Sequence, residues 1–64
     1  SLGGISVLIL DLTALEYISS AGLRVLLYAQ KVMNKQGRMI VRGVTDIVME
    51  VLSVTGFVDI LTIE

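Results

Sequence analysis

Ile5-Ser6-Val7-Leu8-Ile9-Leu10 is a nearly continuous run of aliphatic residues, most of them β-branched or Leu, with no polar alternation. A strand wetted on one face alternates at period two, whereas a strand covered on both faces reads as an unbroken apolar run and belongs to a parallel sheet. The run predicts a strand over residues 5–12, with Asp11 at its carboxyl end. Parallel strands need a crossover of roughly a dozen residues or more, usually a helix. The chain supplies one over residues 21–36. Leu23, Leu26, Leu27 and Met33 share a face there, widened by Val25, Ala29 and Val32. Arg24, Tyr28, Lys31 and Lys35 form the opposite ridge at spacings of four, three and four. Gly37 suits the C′ position, and residues 38–44 read as a second strand. Strand, helix and strand in that order make a βαβ unit.

The remaining residues extend the pattern. Thr45 or Asp46 caps a second helix over residues 47–53, with Ile47, Val48, Val51 and Leu52 turned inward. Thr55-Gly56 ends it, Phe57 enters the core, and residues 59–64 form a last short strand. Gly3-Gly4 is a flexible lead-in. The fold class is α/β: βαβαβ, a largely parallel sheet with helices packed on it, in a single domain over residues 1–64.

Composition removes several function classes. There is no cysteine and no histidine, hence no disulfide, no thiolate nucleophile and neither of the commonest zinc ligands. No Gly-x-x-x-x-Gly-Lys phosphate loop or paired acids on one element are present, so neither a catalytic residue, a metal nor a cofactor is expected. Apolar runs fall short of the ~18 residues of a membrane span, and no basic leader opens the chain. These features fit a cytoplasmic protein without membrane insertion. Net charge is −1, but all five basic residues lie between Arg24 and Arg42, with every carboxylate outside that window. That polarity suits a charged protein partner, and five cations with little aromatic interleaving make a poor nucleic-acid footprint.

The strand-to-helix junction carries the functional signal. Ser19 and Ser20 sit where first-turn N–H groups lack partners, and either hydroxyl can cap them. Ligand chemistry in open α/β sheets gathers beyond the carboxyl ends of the strands, which places Asp11 and Ser20 along one edge. Asp11 equally suits tying down the loop that follows it. Gly22 in the first turn implies a close approach, to a neighbouring loop or to a partner.

Asp11-Leu12-Thr13-x-Leu15-x-x-Ile18-Ser19-Ser20-Ala21-Gly22-Leu23, followed by Asn34-Lys35-Gln36-Gly37 and Val54-Thr55-Gly56-Phe57, resembles the signature of STAS domains, and most of all bacterial anti-sigma-factor antagonists. The resemblance implies a truncated STAS-like fold, beginning at the family's third strand. It implies an antagonist that binds an anti-sigma factor, itself a serine kinase, until that kinase phosphorylates a serine at the helix start. Aligned on Gly22, Ser20 takes the acceptor position, Ser19 stands where the family has Asp, and Ala21 replaces the second hydroxyl. Ser19 is the second choice of acceptor. The expected partner-binding residues are Asp11, Ser19, Ser20, Gly22 and Arg24. A second reading is an unphosphorylated STAS adaptor or scaffold, in a signalling complex or on a membrane transporter, in which both serines only cap. A small enzyme using Asp11 and a serine hydroxyl lacks a base of suitable pKa. Three strands leave much of the sheet uncovered, so a homodimer or larger assembly through that sheet is expected.

Overall fold

The computed structural model describes residues 2–64. In chain order it contains β1 (Val7–Asp11), α1 (Ser20–Asn34), β2 (Arg38–Arg42), α2 (Asp46–Val54) and a single 3₁₀ turn, Phe57–Asp59. β1 and β2 pair in parallel, from Val7 opposite Arg38 to Asp11 opposite Arg42. On the other edge of β2, Val41 donates to the Thr62 carbonyl at 2.8 Å and accepts from the Glu64 N–H at 2.9 Å. That parallel bridge to Ile63 makes β2 the central strand.

Met39 and Val41 share one face of β2, since side chains alternate along a strand. Leu26, Ala29 and Met33 of α1 and Val48 and Leu52 of α2 close over them in one buried cluster, with Leu12, Ile18 and Leu61. Ile40, between Met39 and Val41, is buried as well. Coverage on both faces therefore holds for β2. It does not hold for β1, where Leu8 and Leu10 pack on the cluster while Val7 and Ile9 are 49% and 48% exposed. β1 is an edge strand among the described residues, and its second face has no covering element there.

Both helices keep their expected type but shift their buried faces. The axis of α1 runs Leu26–Ala29–Met33, which brings in Gln30 at 5% exposure and leaves Val25 at 66%. Gln30 Nε2 donates to Asn34 Oδ1 at 2.8 Å, while its Oε1 has no partner among the described residues. In α2 the axis runs Val48–Leu52, so Ile47 is turned outward rather than inward. Thr45 is the N-cap, and Gly56, at φ +80°, follows the C-cap Thr55. Residues 57–61 then close i to i+3 and i+4 bonds on Gly56 and Phe57, which buries Leu61. Those bonds consume the backbone that a strand over 59–64 requires, leaving a one-residue bridge in its place.

Two glycine expectations change. Gly4 makes a turn at φ +82°, and Gln36 Nε2 donates to the carbonyls of Leu2 and Ile5, so the lead-in is tied to the end of α1. α1 ends at Asn34 with Lys35 as C-cap, and Gly37 is not left-handed. Its necessity is steric: a Cβ there would lie 1.8 Å from the Ser6 carbonyl oxygen, beside the Arg38 N–H bond to that same oxygen at 2.9 Å. Gly37→Ala is therefore expected to destabilise the fold by about 1–3 kcal/mol, the usual cost of forcing an atom into filled space, read from urea unfolding. The exposed Val7 and Ile9 beside an unpaired strand edge predict self-association of the 64-residue chain. Sedimentation at micromolar concentration should show a dimer or larger, and a sharply unfolding monomer would refute it.

Candidate functional site

The loop from β1 to α1 is fastened at three places. Asp11 Oδ1 accepts from both the Thr13 hydroxyl and the Thr13 N–H, the latter at 2.9 Å. The Thr13 hydroxyl first, then the Thr13 N–H, holds the Asp11 carboxyl below its ordinary value, against desolvation, which raises it; the Arg42 guanidinium adds the smallest lowering. Gly43 lies against this turn at φ +68°, where a Cβ would stand 2.5 Å from Thr13 Oγ1 and 2.8 Å from Asp11 Oδ1. Farther along, the Thr45 hydroxyl donates to the Leu15 carbonyl at 3.2 Å. Ile18 is buried and pins the end of the loop to the core.

α1 opens on Ser19. Its extended backbone, φ −87° and ψ 169°, lets Ser19 Oγ accept from the Gly22 N–H at 3.1 Å. That is an N-cap, satisfying a donor the helix cannot reach. Gly22 earns its place beneath Ile18, whose Cγ1 would be 3.0 Å from a Cβ at that position. Ser20 is the first helical residue; it is exposed, and its hydroxyl makes no hydrogen bond among the described residues.

Beside this turn opens an apolar pocket of about 380 Å³, walled by Leu12, Leu15, Tyr17 and Ile18 of the loop and by Ser19, Gly22, Val25 and Leu26 of α1. The structure thus brings Ser19 and Gly22 to one wall, and sets Ser20 and Arg24 one turn apart on the outside of the helix. Asp11 does not join them; its carboxylate is engaged by Thr13. Sequence reasoning missed the pocket. Its best signal was Tyr17, an aromatic residue in the loop just before the two serines, which is 71% exposed. Among the described residues no group of three His, Cys, Asp or Glu is placed to hold a metal ion, and no helix is long and apolar enough to cross a membrane.

Compared with known families, the chain matches the STAS domain over residues 2–64. It is also 43% identical over 56 residues to a protein of Bordetella bronchiseptica that carries the provisional name anti-sigma factor antagonist BtrV. That stretch is 86% of this chain and 48% of the relative, so the chain spans about half the length of the protein it matches. No solved structure matches it significantly. The chain belongs to the STAS domain family, and its two parallel strands with helices packed on them fit a truncated form of that fold.

The two serines should separate in a stability measurement. Ser19→Ala removes the cap and is expected to cost about 0.5–2 kcal/mol. Ser20→Ala removes an exposed hydroxyl without a partner and should change stability by less than about 0.5 kcal/mol. A larger loss in Ser20→Ala than in Ser19→Ala, read from urea titrations, would reverse the assignment of the cap.

Proposed function

We propose that this STAS domain is an anti-sigma-factor antagonist: it binds an anti-sigma factor that is also a serine kinase, and phosphorylation of Ser20 ends the complex. One observation carries the choice of residue. The Ser19 hydroxyl is committed to the Gly22 N–H, whereas the Ser20 hydroxyl is exposed and unpartnered at the first helical position. Ser19 also does for the helix start what an Asp in its place would do, since Asp and Ser are comparable caps. The family's usual Asp is therefore replaced without loss of the turn.

The chemistry of the switch follows from the position. Phosphate adds about −1.5 to −2 charges. A helix N-terminus tolerates an anion, because its unpaired N–H groups and dipole favour negative charge. The fold survives while the surface changes sign, and a partner surface complementary to a neutral hydroxyl meets repulsion and a desolvation cost. The domain works here as a binding module, with the kinase partner supplying the group transfer from ATP.

The test is incubation of the chain with serine-kinase anti-sigma factors of its own organism and ATP, followed by mass spectrometry. Phosphate is expected on Ser20 and absent from Ser20→Ala. Ser20→Asp should fold normally and bind the anti-sigma factor more weakly than wild type. Phosphate on Ser19 would refute the residue assignment. No phosphate on either serine would favour the unphosphorylated adaptor, with both hydroxyls structural.

A further inference from the structure

The outer side of α1 carries Arg24, Tyr28, Lys31 and Lys35, all exposed and in line at spacings of four, three and four. From Arg24 to Lys35 the ridge covers about 16 Å of helix. Ser20 stands at its head, one turn before Arg24. None of the three cations forms an ion pair among the described residues, where the pair present is Arg42–Glu64 at 3.4 Å. Next to Arg24, the exposed Val25 is also a wall of the apolar pocket, and Tyr17 faces it from the loop. Glu16 is the single carboxylate in that loop.

An apolar cavity beside a row of unpaired cations selects its occupant twice. The cavity, about 380 Å³, has room for a large apolar side chain. The ridge requires carboxylates repeated along a similar length. We propose that this surface takes an acidic, amphipathic segment of a partner protein, which inserts one large apolar side chain between Leu15, Tyr17 and Val25 and lays its carboxylates along Arg24, Lys31 and Lys35. The proposal rests on the reading of the domain as an antagonist and specifies the chemistry of the segment its partner presents. The buried anchor supplies affinity, and the rim charges supply approach rate and discrimination. The same layout gives the phosphate its effect. At Ser20 it engages Arg24 and puts negative charge in front of acidic side chains. An anionic bilayer is a poorer occupant: polybasic lipid-binding segments carry roughly 4–8 cations, the ridge has three, and a concave pocket suits a side chain rather than a flat surface.

The probes are a synthetic helix of about 18 residues with Leu along one face and Glu elsewhere, its Lys-for-Glu twin, and phosphatidylglycerol vesicles. With the full ¹⁵N-labelled chain, the Glu peptide should shift the amide signals of Leu15, Tyr17, Val25, Tyr28 and Lys31. Its affinity should fall about tenfold in the Lys31→Glu/Lys35→Glu variant, and its affinity for the wild-type chain should fall as salt is raised. Val25→Asp should abolish binding, and the Lys twin and the vesicles should leave these signals unmoved. Equal binding of the twins, indifference to charge reversal, or vesicle binding in place of peptide binding overturns the proposal. A serine-kinase anti-sigma factor separates it from the antagonist reading. Undiminished binding of that protein to Lys31→Glu/Lys35→Glu overturns the surface and leaves the antagonist reading standing. If the Glu peptide binds and no such anti-sigma factor does, the surface is supported and the antagonist reading falls.

Discussion

Parallel strands cannot be joined by a tight turn, so pairing Val7–Asp11 with Arg38–Arg42 obliges the chain between them to travel back along the sheet. α1 makes that return, and its N-terminus is thereby delivered to the carboxyl end of β1, where ligand and partner chemistry gathers in α/β folds. The pairing also fixes the other end of the helix. The Arg38 N–H bond to the Ser6 carbonyl brings two backbones so close that position 37 has no room for a side chain. Held at both ends, α1 presents one face to Met39 and Val41 and the opposite face to solvent. The position of Ser20 is thus a consequence of the sheet and is not left to the loop that carries it.

That loop is restrained rather than mobile in its bonding. Asp11 holds Thr13, Thr45 holds the Leu15 carbonyl, and Ile18 is buried beneath the first turn of α1. A surface fixed before binding loses little conformational entropy on binding, which favours affinity. The cost is exposed apolar area at Tyr17 and Val25, which a fold optimised for stability alone would cover or replace. The division of labour between the serines belongs to the same economy of parts. Because Ser19 satisfies the helix end, the proposed phosphate on Ser20 would leave the helix start in place.

Element type and order were legible in the sequence because periodicity reports which residues can be buried together. Both helices, both strands of the βαβ unit and the Gly56 stop lie where the pattern puts them, within a residue or two, and the cap of α2, open between Thr45 and Asp46, falls on Thr45. The exact phase of each helix was not legible. Val25 and Ile47 are as apolar as their buried neighbours, and only the direction of the sheet beneath decides that Gln30 goes in and Val25 stays out. The last strand failed for a local reason, since the left-handed Gly56 leads into a 3₁₀ turn that uses up its backbone bonds. Gly37 suits the C′ position by its place after the helix, but its clash partner lies 31 residues upstream, where no local pattern reaches. At the site, the motif read the helix start correctly and left the cap open between two serines; the hydrogen bond to Gly22 settles it. Beyond Tyr17 the pocket had little signature, because its rim is three apolar residues, Leu15, Tyr17 and Val25, that remain outside the core.

Two of the apolar surfaces that the described residues expose differ in kind. Val7 and Ile9 form a flat patch beside an unpaired strand edge, which suits backbone pairing and further sheet. Leu15, Tyr17 and Val25 rim a cavity beside unpaired cations, which suits a side chain and carboxylates. Alternation along β1 sets these surfaces on opposite sides of the sheet, since Leu8 and Leu10 take the side that α1 covers. A charge placed on Ser20 therefore acts on the pocket and its ridge, with the sheet between it and the β1 patch. On the proposed function, assembly through the sheet and docking beside Ser20 are then independent. Partner exchange can be switched by a single hydroxyl without disturbing whatever completes the sheet.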